Sequence, residues 1–471
     1  MLSAEPLAQS GKQYLETQNS PNQNLLPLSA RVNSKNHLEI GGCDVTTLVA
    51  QYGTPLYIVD EMTLRTACRQ YRDSFKSYYS GESQVIYASK AWSCLAVCGV
   101  IASEGLGFDV VSSGELYTTL TALEQMGIAE QSLNKIYFHG NNKSESELKY
   151  ALSIGCKIIV DNWLELETLV KLGSDLGVSS IPILLRLTPG IECHTHEYIR
   201  TGHLDSKFGF DPNQMDAVLT YVSQQPILNC LGLHAHIGSQ IFERQPHQDL
   251  GGVLIEWMQK AIHKYNLSIT EINVGGGLGI RYTESDDPPS IEEWVKTVSL
   301  SVMNACQINN LPLPKLIAEP GRSLIATACV TAYTVGSRKE IPNIRTYIAV
   351  DGGMSDNPRP ITYQSVYRTV IANKMSTFCQ ETVTIAGKHC ESGDILIKDA
   401  QIPLARPGDI LVVMATGAYN YSMASNYNRL PRPAAVIVSE GEANLILHRE
   451  TNEDLLRQDR LPERLKQEFR G

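Results

Sequence analysis

At 471 residues the chain is long enough for two or three domains, each with a full core, which excludes a small disulfide-stapled fold. Hydrophobic residues make up 43% and charged residues 19%, and no stretch approaches the ~18 uninterrupted apolar residues of a membrane-spanning helix, so no membrane partner is expected. With 40 Lys+Arg against 50 Asp+Glu the net charge is −10; no nucleic-acid partner is expected, although local arginines can still bind a small anion.

The first residues, 1–35, read as a polar tail without the apolar core of a signal peptide or the Arg-rich, acid-poor character of a transit peptide. The 11 cysteines are an odd number without a CxxC pair, and this usage fits a reducing, cytoplasmic setting. Two early strand candidates, HLEIGG (37–42) and PLYIVD (55–60), occupy residues 36–62. They are expected to pair with strands near the other end of the chain.

Residues 63–328 alternate short β-rich runs with helix-permissive stretches such as SESELKYALSIG, whose apolar residues recur at helical spacing. Eight runs stand out: VIYAS, FDVVS, KIYFHG, KIIVDN, PILLRLTP, LGLHAHIGS, EINVGGG and KLIAEPGR. Alternating strands and helices imply a parallel sheet, and eight repeats over this length fit a closed (β/α)8 barrel of the α/β class. Residues 329–471 change to closely spaced strands with turn signals, from RTYIAVDGG to ANLILHRE, and end in a charged helix. They read as an all-β domain, of sandwich or barrel type, shared with the N-terminal strands.

The mouth of a barrel, at the C-terminal ends of its strands, is where chemistry is sought. Lys90 follows the first run in YASKA, where desolvation should lower its pKa toward the neutral amine that forms a Schiff base. Gly275, Gly276 and Gly277 end the seventh run and let several backbone N–H groups approach one anion; Ser239, ending the sixth, can add a hydroxyl. Glu319 in AEPGR puts a carboxylate at the eighth, suited to keeping a pyridine nitrogen protonated.

His234 and His236 form an HxH pair, which suggests a rival class, a barrel metallohydrolase. That class needs further ligands. His139 is the only other histidine ending a run, and His194 and His196 lie in the polar loop ECHTHEYIRTGH. An imidazole stacked on a cofactor ring explains His236 equally well. In the β domain, Cys390 and Glu391 lie in GKHCESGD, where a thiol can deliver a proton and a carboxylate can bind an ammonium. Arg359, in DNPRPITY with Tyr363, is suited to a bidentate carboxylate.

Taken together, YASKA, HIGSQ, NVGGGLG, AEPGR, DGGMSDNPRP, GKHCESGD and GAYNYSMASNYN resemble the decarboxylases that use pyridoxal 5'-phosphate (PLP) on an alanine-racemase-like barrel. Within that superfamily they are most similar to the meso-diaminopimelate decarboxylase family, in order from about residue 36 to 440. The resemblance implies that Lys90 holds PLP, His236 stacks on its ring and Glu319 pairs with its nitrogen. Ser239, Gly275, Gly276, Gly277, Gly321, Arg322 and Tyr419 would contact the rest of the cofactor. It further implies substrate contacts from Arg322, Arg359, Tyr363, Glu391 and Tyr419, and a proton from Cys390, which arrives from the partner subunit of a homodimer. No metal is implied.

The implied reaction turns meso-2,6-diaminopimelate into L-lysine and carbon dioxide, the last step of lysine biosynthesis. A decarboxylase of ornithine, lysine or arginine, or a racemase of the same fold, is the alternative. An arginine at the distal end of the site would repel a lone ammonium, and a carboxylate at Glu319 makes a stronger electron sink than a racemase would use. Trp92 departs from the family pattern, where many relatives carry Asn after the lysine block.

Overall fold

The computed structural model describes residues 9–15, 18–191 and 206–467, so the loop bearing His194 and His196 lies outside the described residues. All eight β-rich runs form parallel strands of one closed barrel: Ser83–Ala88, Gly107–Val110, Ile136–Phe138, Lys157–Val160, Ile181–Arg186, Leu228–His234, Glu271–Asn273 and Lys315–Ala318. The eighth strand closes on the first through Leu316 opposite Ser83 and Ala318 opposite Val85. Ile86, Tyr137, Ile159, Leu184 and Ile317 fill the barrel interior. Lys157, Glu271 and the Tyr137 hydroxyl form a closed polar group near the N-terminal end of the barrel, away from the mouth.

Local signals place the intervening helices. Ser144 and Ser290 each open a helix with a reciprocal capping box to Glu147 and Glu293, satisfying two backbone groups at each end. The helix Glu61–Tyr78 buries Leu64, Ala67, Cys68, Tyr71 and Phe75, a stripe at three- and four-residue spacing, and packs against Ile291–Ile308.

The second domain is a mixed β-sheet around Leu56–Asp60, which pairs antiparallel with Cys329–Ile341 and parallel with Ala434–Ser439. The strand expected in PLYIVD thus sits centrally between C-terminal strands. HLEIGG does not join it: Leu38–Ile40 belongs to a separate three-stranded sheet with Arg31–Val32 and Cys43–Asp44. Cys329–Ile341, at 13 residues the longest strand, has no counterpart in the sequence reading. Only its first half is buried, and its polar second half runs exposed past Gly336.

Residues 18–35 are not a free tail. Asn22 is fully buried, and its Nδ2 donates to Gly279 O (3.1 Å) and Pro289 O (2.9 Å) of the barrel. Leu25 and Leu26 join the core of the β domain. The polar side chains that suggested a tail instead satisfy backbone carbonyls that loops leave unpaired. At the other end, Pro462 separates two short exposed helices, Asn452–Leu456 and Glu463–Gln467, where one charged helix was expected. No described helix is long and apolar enough to cross a membrane.

Candidate active site

A cavity of about 450 Å³ opens at the mouth of the barrel, lined by residues from several strand ends and from the β domain. It brings together Lys90, His236, Ser239, Gly277, Glu319, Gly321, Arg322, Arg359, Tyr363 and Tyr419. Lys90, His236, Ser239, Gly277 and Glu319 come from barrel strand ends, and Arg359, Tyr363 and Tyr419 from the β domain.

Lys90 sits in the tight turn Ser89–Ala91 directly after the first strand, and its side chain stands in the open cavity deep within the protein. Burial pulls its pKa down, but Asp109, Tyr419 and Glu319 more than offset that, and the net direction is upward. The expectation of a desolvated, neutral amine is therefore reversed, first of all by Asp109, a carboxylate that the sequence reading did not single out. Asp109 lies inside the second strand and Arg186 ends the fifth; both are buried. A polar residue near the C-terminal end of an otherwise apolar strand was the available signal.

Glu319 is held by three neighbours. His234 Nε2 is 3.0 Å from Oε2, Asn273 Nδ2 donates to Oε1 at 2.7 Å, and His139 Nε2 lies 2.8 Å from Oε1. Burial favours the protonated acid, yet His139 and His234 win and hold the carboxyl well below its ordinary range. His234 itself is pushed down to about 4, chiefly by burial, so it donates as a neutral imidazole.

The HxH pair is thereby divided. His234 faces Glu319, whereas His236 accepts from Gly276 N through Nδ1 at 3.2 Å and faces the cavity. Candidate ligand atoms of His139, His234 and Glu319 do lie within 4.8 Å of one another. The hydrogen bonds from His234 and Asn273, with His139 within ion-pair distance, mark this group as a clamp on the Glu319 carboxylate, with His236 no part of it. His236 is also neutral, held well below its usual pKa by burial and by the charges of Lys90 and Arg186.

Two glycines are required by close approach. A Cβ on Gly276 would stand 2.3 Å from Glu319 O, and Gly275, at φ +65°, would meet His236 Nδ1 at 2.7 Å. Facing this loop, Arg322 donates from Nε and Nη2 to Ser239 Oγ at 3.2 and 3.0 Å, with its guanidinium 4.9 Å from the centroid of Tyr419. Tyr419 adopts φ +65°, an uncommon conformation for a bulky residue, and its N–H donates to Ala91 O at 2.8 Å, tying it to the turn of Lys90. Trp92, the departure from the family pattern, is buried behind that turn and stacks on Tyr421 at 5.4 Å.

Cys390 and Glu391 do not line this cavity and are exposed. Their loop is nonetheless firmly held. Asp394 accepts His389 N (3.0 Å), bonds His389 Nδ1 (2.6 Å) and accepts Met354 N (2.7 Å), joining it to the segment that carries Arg359. Cys390 N donates to Asn428 Oδ1 at 2.8 Å.

The family described as "Pyridoxal-dependent decarboxylase, pyridoxal binding domain" matches residues 61–326, more than half the chain. The chain is 69% identical to the diaminopimelate decarboxylase of Synechocystis, over 99% of this chain and 100% of that protein. The chain belongs to the diaminopimelate decarboxylase family. The Bacillus subtilis member is 46% identical over 92% of this chain and 97% of its own length. The crystal structure of the M. jannaschii diaminopimelate decarboxylase in co-complex with L-lysine superposes with a TM-score of 0.83 at 31% identity, covering 93% of this chain and 99% of that one.

Membership makes the chain a PLP-dependent decarboxylase, and the site fits that cofactor. A primary amine, a glycine loop with Ser239 and Arg322 at one pole, and an ionised carboxylate within the barrel match an aldehyde, a phosphate and a pyridine nitrogen respectively.

Proposed function

We propose that the chain decarboxylates meso-2,6-diaminopimelate to L-lysine and carbon dioxide, the last step of lysine biosynthesis, as a cytoplasmic homodimer. The observation that carries the substrate is Arg359. It is 6% exposed, lines the cavity, and has no carboxylate partner among the described residues, so a ligand carboxylate is its natural counterion. A lone distal ammonium, as in ornithine, would be repelled there.

Bound PLP supplies an electron sink for cleavage of the carbon–carboxylate bond. Lys90 would hold its aldehyde carbon, with His236 against the ring. Ser239, Gly275, Gly276, Gly277, Gly321, Arg322 and Tyr419 would hold the phosphate end, and Glu319 the ring nitrogen. Because Glu319 stays ionised, it favours a protonated nitrogen throughout. Tyr363 and Arg359 orient the distal end of the substrate, and Arg359 fixes its carboxylate.

Cys390 donates the proton that replaces carbon dioxide, and Glu391 binds the distal ammonium. Both are exposed and absent from the cavity of their own chain, which supports their delivery to a partner's cavity. A cytoplasmic setting is supported by the described cysteines, none of which forms a disulfide.

The decisive assay measures carbon dioxide release from meso-diaminopimelate, L-lysine, L-ornithine and L-arginine. Turnover confined to diaminopimelate is expected, and its absence overturns the substrate assignment. Lys90→Ala should abolish both turnover and the visible absorbance of the lysine-bound cofactor.

A further inference from the structure

Tyr282 follows the glycine loop and lies behind the cavity wall, 8% exposed. Its hydroxyl accepts from Arg322 Nη1 at 2.8 Å and from Arg359 Nη1 at 2.8 Å, so one oxygen joins two guanidinium groups. Arg359 Nη1 also donates to Tyr367 OH at 2.7 Å, which engages both of its hydrogens. Tyr282 is itself fixed: its N–H and that of Thr283 donate to Asp286 Oδ2 at 3.0 and 2.8 Å, and its ring meets Tyr367 edge-on.

Two buried cations within two hydrogen-bond lengths repel, and neither has a carboxylate partner among the described residues. The shared phenol is what keeps them side by side. The effect is reciprocal, since burial raises the Tyr282 pKa but the two guanidinium groups overcome it and lower it. With Nη1 occupied, Arg359 has its Nε/Nη2 edge left for a ligand. That edge is the bidentate face of a guanidinium.

We propose that Tyr282 is a positioning residue that locks Arg359 beside Arg322, so that Arg359 presents its bidentate edge to the distal carboxylate of the substrate. This rests on the diaminopimelate reading. Tyr282 is also a specificity element, because the edge it fixes on Arg359 serves only ligands that carry a carboxylate at that end, while Arg322 keeps its two bonds to Ser239.

The test uses the PLP-loaded enzyme and two competitive inhibitors: L-lysine, which keeps one carboxylate, and cadaverine, the diamine with none. In Tyr282→Phe, KM for meso-diaminopimelate and the inhibition constant of L-lysine should each rise about tenfold, the loss of one charge-assisted hydrogen bond. The kcat and the inhibition constant of cadaverine should change less than twofold. Equal weakening of both inhibitors, or no weakening of L-lysine, overturns the positioning role. Wild-type enzyme that fails to turn over diaminopimelate, or binds cadaverine as tightly as L-lysine, overturns the substrate reading, and the proposal with it.

Discussion

His234 Nε2 and Glu319 Oε2 lie 3.0 Å apart in a fully buried pocket, so the ionised state of Glu319 depends on an uncharged donor. Glu319→Gln should lower kcat by about 10²–10³-fold, the usual cost of removing a preorganised charge from a site. His234→Ala, which leaves Oε2 without that donor, should lower kcat about tenfold and stability by about 1–3 kcal/mol. In the Glu319→Gln background the same substitution should change kcat less than threefold, because the two act as a unit. Full additivity in steady-state kinetics at saturating PLP would show that His234 does not act through Glu319.

Buried histidines set the acid limit of the fold. His234 and His247 have pKa values pushed down by burial to about 4 and about 3, against about 6.5 when unfolded. Below pH 6.5 the unfolded chain therefore binds protons that the folded chain refuses. Stability is fully present above that pH and is lost as pH falls toward the folded values, by about 2 kcal/mol per histidine between pH 7 and pH 5. Neither ring nitrogen of His247 has a hydrogen-bond partner among the described residues, and its ring meets Trp294 edge-on at 5.4 Å. His247→Phe should therefore be near neutral in a urea unfolding midpoint at pH 7.5 and stabilising at pH 5. Equal effects at the two pH values would count against this account.

The eight barrel strands were legible because strands buried on both faces are continuous β-prone runs between helical patterns. Cys329–Ile341 was not, since its exposed half carries Arg338, Lys339 and Glu340 and packs no core. Lys90, Glu319 and the glycine loop could be picked out because strand-end position alone nominates them. The sign of the Lys90 shift could not, as it depends on Asp109, hidden within an apolar strand. Tyr282 is invisible for a related reason. Its two arginine partners are 40 and 77 residues away, and neither distance leaves a local pattern.

Asn22 turns an apparently polar N-terminus into a structural clasp. It joins Gly279 O and Pro289 O, on either side of the loop that follows the seventh strand. Asn22→Ala should strand both carbonyls, costing about 2 kcal/mol and lowering Tm by a few degrees. A calorimetric Tm equal to that of wild type would restore the reading of this segment as a dispensable tail.

The separation of Cys390 from the cavity of its own chain gives a test that single variants cannot. Lys90→Ala removes the amine of the cavity, and Cys390→Ala removes the thiol on the exposed loop. In the proposed homodimer each single variant should be nearly inactive, although Cys390→Ala keeps the visible absorbance of its bound cofactor. If the thiol crosses the dimer interface, a mixed dimer contains one site with both groups intact and one with neither. Random reassortment of equal amounts makes half the dimers mixed, and half of their sites intact, so activity should recover to roughly a quarter of wild type. A thiol serving its own chain's cavity leaves one defect in every site, and no recovery is then possible. Activity measured after dissociation and remixing, with the unmixed variants as controls, decides between the two arrangements.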